Sequence, residues 1–156
     1  MGKSIINPNI TSADIHPEIR LYCQYLAQSQ KLVLSYNNKT KRDEWDLPAM
    51  ASVCHDGNYG REAWGYSDDP GLVDWHPVMK AEIAKLGPIG KTPRPKRPGN
   101  RFALGRCAEQ HAGNEFLKYY QGFGTGDLHF SEAVRPRTME PFLPCDNCIE
   151  IFPNLK

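Results

Sequence analysis

The 156-residue chain has no apolar run approaching the roughly 18–20 residues that a membrane-spanning helix needs, which excludes such a helix from the reading. It has no excess of charge of one sign either: 19 Lys and Arg stand against 18 Asp and Glu, for a formal net charge of +1. Bulk charge therefore points to neither a polyanion nor an acidic membrane surface, and any electrostatic signal has to lie in the distribution. The opening "MGKSIINPNI" carries one positive charge and lacks the apolar stretch of a secretory signal. Ile6 occupies the place where N-myristoylation asks for Ser or Thr. The expectation is a soluble protein without a membrane partner, cytoplasmic as written. Nor does the chain have the even, regularly spaced cysteines of a disulfide framework, since Cys23, Cys54, Cys107, Cys145 and Cys148 are odd in number and unevenly placed.

What is present suits one domain over 1–156. The apolar fraction of 40% is enough for a core, and 13 Gly with 13 Pro predict a loop-rich fold of short elements. Residues 1–88 read as a helical and irregular N-terminal part. Ile19, Tyr22, Tyr25 and Leu26 recur at helical spacing within 17–30, where Cys23 reads as a core residue. "KLVLSY" (31–36) is either the end of that helix or a first strand, and the polar 37–46 reads as a loop. Residues 54–75 show no period and read as an irregular lobe packed by Tyr59, Trp64, Tyr66 and Trp75. Cys54 falls there beside His55; adjacent residues ligate one ion poorly, so the cysteine reads as inert. "HPVMKAEIAKLG" (76–87) predicts a helix that Pro77 opens and Gly87 stops.

Residues 89–156 form the part that carries chemistry. Lys91, Arg94, Lys96, Arg97, Arg101 and Arg106 are unbroken by any acid, in a stretch too rich in proline to be helical. Such a segment is either a solvated linker or an edge that tracks phosphates. "GRCAEQHAGNEFLKYYQG" (105–122) predicts a helix with Cys107 and Glu109 in its first turn, a strand follows within 127–134, and "LPCDNCIEIF" opens a last helix with Cys145 and Cys148 on one face. Helix, strand and helix bring two helix N-termini to one sheet edge, where free backbone N–H groups favour thiolates. Three thiolates, Cys107, Cys145 and Cys148, suit zinc and leave its fourth position for water, whose pKa the metal lowers. Glu109 stands where a carboxylate could carry protons between that water and a substrate.

"CAE" (107–109) followed by "PCDNC" (144–148) resembles the zinc signature of the cytidine deaminase superfamily, in which His or Cys, any residue and Glu precede a later Pro-Cys-x-x-Cys. The layout, with "RPRTMEPFLPC" before the second motif, looks most like the toxin-type nucleic-acid deaminases of bacterial polymorphic toxins, such as the YwqJ-like group. The resemblance implies an α/β, cytidine-deaminase-like three-layer fold, shortened at the C-terminus, with a central sheet and a zinc site at the N-termini of two helices. It implies Zn2+ on Cys107, Cys145 and Cys148, Glu109 as proton shuttle, and the backbone at Ala108 holding the base. It also implies an immunity protein as partner if the chain is an exported toxin domain delivered into a target cell.

The function expected is hydrolytic deamination of a nucleobase, cytosine to uracil in single-stranded DNA or RNA, with DNA favoured. The six basic residues leading into the zinc helix would follow the backbone, and Arg135 and Arg137 would extend that rim. His129 and Phe130 are candidates for stacking on the base, or core residues of the sheet, and Asn100 is a candidate for a sugar contact. Two alternatives stand beside this: a deaminase of free nucleosides or nucleotides, and a non-catalytic binding module stapled by zinc. His111, four residues after Cys107, discriminates the latter, because it either closes a structural site as fourth ligand or packs behind it, hydrogen-bonded.

Overall fold

The computed structural model describes residues 19, 21–22, 34–37, 42–45, 50–58, 60–93, 102–136 and 139–155. Their elements are short, as the glycine and proline content requires. In chain order they are β1 (Leu34–Asn37), β2 (Arg42–Trp45), β3 (Ala51–His55), β4 (Glu62–Tyr66), α1 (Pro77–Ala84), α2 (Ala108–Tyr119), β5 (His129–Phe130), β6 (Ala133–Val134), β7 (Pro141–Phe142) and α3 (Asp146–Ile151). The result is a mixed α/β protein with a small antiparallel sheet.

β3 is the centre of that sheet, and all five of its residues are buried. It pairs antiparallel with β4 on one side and with β5 and β6 on the other, and β7 extends the sheet beyond β6. The partner strand along 129–134 is interrupted. Cys54 faces Phe130 but Ala51 faces Val134, so one extra residue is inserted between the two short strands, which makes a β-bulge. Ser131 fills the break: its N–H donates to the Val53 carbonyl at 2.8 Å and its hydroxyl accepts from the Val53 N–H at 3.0 Å. The ladder thus bends without leaving a buried backbone group of Val53 unpaired.

Successive β3 side chains point to opposite faces, and each face carries a core. Ala51 and Val53 join Ile19, Tyr22, Val134 and Met139, with Trp64 packed against them. Cys54 belongs to the larger core of Met79, Ile83, Leu104, Phe116, Leu128 and Phe152, which α1, α2 and α3 complete. Gly65 decides how close α2 lies. A Cβ there would collide with the backbone nitrogen and Cα of Ala112, so only glycine lets β4 accept the helix at this distance.

Two readings of the sequence are corrected. The polar 37–46 is not all loop, since β1 and β2 pair as an antiparallel hairpin from Leu34↔Trp45 to Asn37↔Arg42. The aperiodic 54–75 is not an irregular lobe, because it contains the end of the central strand and the whole of β4. "ASVCH" carries no alternation because both of its faces are covered. The expected helix over 76–87 is α1: the His76 ring accepts the Val78 N–H at 3.1 Å, Pro77 takes the first position, and Gly87 leaves the helix at φ +147°. Of the helix expected over 17–30, Ile19, Leu21 and Tyr22 are described and helical; Cys23 and the remaining positions fall outside the described residues.

Candidate metal centre

Cys107 and Cys145 are the N-cap residues of α2 and α3. Both have extended backbones, which turn the chain into the helix. Two helix starts therefore meet with their sulfurs directed at one another. The Sγ atoms of Cys107 and Cys145 are 3.2 Å apart, those of Cys145 and Cys148 are 3.7 Å apart, and all three lie within 4.8 Å of one another. Cys148 is fully buried, Cys145 nearly so, and Cys107 is half-buried. Among the described residues these three are the group of His, Cys, Asp and Glu side chains placed to hold a metal ion.

The protonation of the cluster fits that use. Hydrogen bonds from Cys107 and then Cys148 hold the Cys145 thiol well below the ordinary thiol range, helped by the backbone N–H groups of Cys148 and Asn147 at the helix start. The other two sulfurs are correspondingly pushed up, Cys107 and Cys148 each chiefly through sharing protons with their neighbours. A divalent ion would replace those shared protons and let all three sulfurs ionise. A donor set of three converging soft sulfurs suits zinc.

Two buried amides tie the ligand-bearing segments together, and reading the sequence for ligands alone missed both. The Gln110 side chain accepts the Gly105 N–H at 2.7 Å and donates to Cys148 Sγ at 3.5 Å, so it joins the turn before Cys107 to the sulfur on α3. Asn147 donates to the Phe102 carbonyl at 2.8 Å. The available signal was polar: an uncharged amide directly after Glu109, and another between the two cysteines of "CDNC".

Glu109 is 5% exposed on the first turn of α2. Burial pushes its carboxyl up to about 7, and the negative charge of Cys145 adds to the effect. His111 is not in the sulfur cluster. Its Nε2 lies 3.3 Å from the Asp68 carbonyl and its ring packs on Trp75 at 5.3 Å between centroids. Of the two roles open to it in the sequence, the structure places it in the packed, hydrogen-bonded one.

The other sequence candidates separate. Ala108 is buried at the first position of α2. Lys91, Arg106 and Arg135 are exposed, the last with its guanidinium 4.7 Å above the Phe142 ring. Phe130 packs on Phe152 at 4.6 Å, and His129 stacks on His55 at 5.7 Å. Arg94, Lys96, Arg97, Asn100, Arg101 and Arg137 lie outside the described residues. Cys54 is wholly buried in β3, and burial pushes its thiol far up, as expected of an inert core cysteine. A cleft of about 790 Å³ runs along β4 and the side of α2 that bears His111 and Tyr119, but none of the three cysteines nor Glu109 lines it. Its open, mixed lining calls for no particular ligand, whereas three converging sulfurs do. Compared with known proteins, the chain matches no family model, no curated protein and no solved structure.

Proposed function

We propose that the protein is a zinc-dependent hydrolytic deaminase of a nucleobase, cytosine to uracil, with a cytidine-deaminase-like fold. The observation that carries this reading is the placement of Glu109: a buried carboxyl, raised by burial to about 7 so that it can both take and give a proton near neutral pH, two residues from one sulfur of the three-cysteine cluster. A structural staple has no use for a carboxyl there, whereas proton transfer at neutral pH asks for one whose pKa lies near 7. The order of elements supports the same reading. α2 precedes β5 and β6, which return along β3, and α3 follows β7, which pairs with β6, so each helix delivers its N-cap cysteine to one place.

Cys107, Cys145 and Cys148 would hold the zinc, which when bound supplies Lewis-acid activation of water at neutral pH. Glu109 takes a proton from the attacking water and passes it to N3 of the base as water oxygen adds at C4. It then carries a second proton to the departing amino group, so that cytosine and water become uracil and ammonia. Ala108, buried at the start of α2, places backbone groups beside the base. His111, held on the Asp68 carbonyl, would not serve as a further ligand to the metal.

Single-stranded DNA, with RNA next, is the substrate class this reading favours over free cytidine. Exposed Lys91, Arg106 and Arg135 can meet phosphates, and exposed Phe102, Phe142 and Leu143 can meet bases. The test is incubation of zinc-loaded protein with single-stranded DNA, duplex DNA, RNA and free cytidine, reading base conversion by mass spectrometry. Conversion of single-stranded DNA that falls steeply with salt is expected. Conversion of free cytidine alone moves the protein to nucleoside metabolism, and bound zinc with no conversion of any substrate favours the zinc-stapled module.

A further inference from the structure

Cys107 and Cys145 are 38 positions apart in the chain, and their sulfurs are 3.2 Å apart. A disulfide has an S–S length near 2.05 Å, so about 1 Å of side-chain movement would join them. Cys148 is the more distant neighbour, 3.7 Å from Cys145, and it sits on the same short helix as Cys145. The two closest sulfurs therefore belong to different helices. Their accessibility differs as well: Cys107 is half-buried, while Cys145 is 6% exposed and Cys148 fully buried. An oxidant arriving from solvent meets Cys107 first, with Cys145 already in contact behind it.

From this geometry we infer that the metal centre is also a redox latch, in which hydrogen peroxide oxidises Cys107 and Cys145 to a disulfide that takes the place of the metal. The inference rests on the reading of the three cysteines as a metal centre. The Cys107 sulfur attacks the peroxide and breaks its O–O bond, giving a sulfenic acid and one water. The Cys145 sulfur then displaces the hydroxyl of that sulfenic acid, forming the S–S bond and releasing a second water. The two sulfurs together give up two electrons, which the peroxide receives, and two protons complete the two waters, supplied by the thiols themselves or, where the sulfurs are ionised on the metal, by solvent. Only Cys148 then remains as a sulfur donor, too few for a stable zinc site. The disulfide keeps the starts of α2 and α3 together, which is the link the metal otherwise supplies. The oxidised protein thus stays assembled but inactive until a thiol reductant reopens the bond.

The experiment treats zinc-loaded protein with hydrogen peroxide, reads released zinc with a chromophoric chelator, and maps cross-linked peptides by mass spectrometry. Near-complete zinc release is expected, with a Cys107–Cys145 cross-link, an alkylatable Cys148, and recovery of zinc binding after dithiothreitol. The Cys148→Ser variant should still form the same cross-link, and Cys107→Ser should form none between α2 and α3. A Cys145–Cys148 cross-link in place of the expected one, or zinc release through irreversible oxidation without any cross-link, overturns the latch. If the protein takes up no zinc at all, the metal reading falls, and the cross-link in peroxide-treated protein still decides whether the two cysteines form the latch.

Discussion

The side-chain amide of Gln110 donates to Cys148 Sγ at 3.5 Å while its carbonyl oxygen holds the Gly105 N–H at 2.7 Å. One wholly buried residue therefore bonds both the turn before Cys107 and a sulfur from the other helix. Partners of metal ligands commonly contribute about 10–100-fold to metal affinity. Gln110→Met, similar in volume but without the amide, is expected to weaken zinc binding on that scale in competition with a chelator. It should also shift the sulfur-to-metal charge-transfer band of the cobalt-substituted protein, because a thiolate that loses a hydrogen bond donates more readily. An unchanged band and unchanged affinity would show that Gln110 only packs.

Glu109→Gln should separate chemistry from assembly. The amide fills the same buried space and leaves the three sulfurs untouched, so zinc content is expected to stay near that of the parent. Loss of general acid–base help costs about 10²–10⁴-fold in rate, and deamination on the best substrate should fall by at least that much. Equal rates in parent and variant would remove Glu109 from the mechanism.

Cys145→Ser should behave in the opposite way. Removing the sulfur between the other two takes away a metal donor and the binding energy that joins α2 to α3. Zinc content measured by atomic absorption and the thermal unfolding midpoint are expected to drop together. A variant that keeps full zinc occupancy contradicts the assignment of the ligands.

His111 gives the folded protein a pH dependence of known sign. Burial holds its imidazole below the usual histidine range, and this outweighs the opposing influence of its bonds to the Gly105 and Asp68 backbone and of the Asp68 and Glu115 charges. In the unfolded chain the same ring protonates near pH 6.5. Below that pH the unfolded state binds more protons, so stability declines as pH falls and levels off once the folded pKa is passed. Glu109, whose carboxyl is raised to about 7, acts in the opposite sense over the same range, so the His111 contribution is read as a difference: in denaturant titrations between pH 8 and pH 5 the parent should lose stability relative to His111→Gln, whose amide can keep the bond to the Asp68 carbonyl. Identical pH slopes count against the assignment.

Gly65→Val tests how closely β4 carries α2. The new Cβ would meet the Ala112 backbone, which cannot rotate away as a side chain would. Overpacking of this kind costs about 1–3 kcal/mol or more, and a lower unfolding midpoint is expected. Gly126→Ala is the control: a Cβ there meets nothing within 4 Å, and its midpoint should hardly move.

The sequence by itself determined the parts of this protein whose chemistry is local. Cys107 and Cys145 at helix starts, Glu109 in the first turn of α2 and Pro77 at the opening of α1 are all written in short-range spacing, because caps and turns obey neighbours a few residues away. The convergence of Cys107 with Cys145 and Cys148 was legible because two such starts stand on either side of the strand residues within 127–134. Tertiary structure alone decided the rest. β3 is buried on both faces, so "ASVCH" shows no alternation. The bulge at Ser131 exists only as a register against β3, and the need for Gly65 exists only where Ala112 comes to rest against it. His111 was open between ligand and packing until Asp68, 43 positions away, supplied the carbonyl that holds it. Each of these depends on a partner distant in the chain, and no local pattern encodes a contact that only the closed fold brings about.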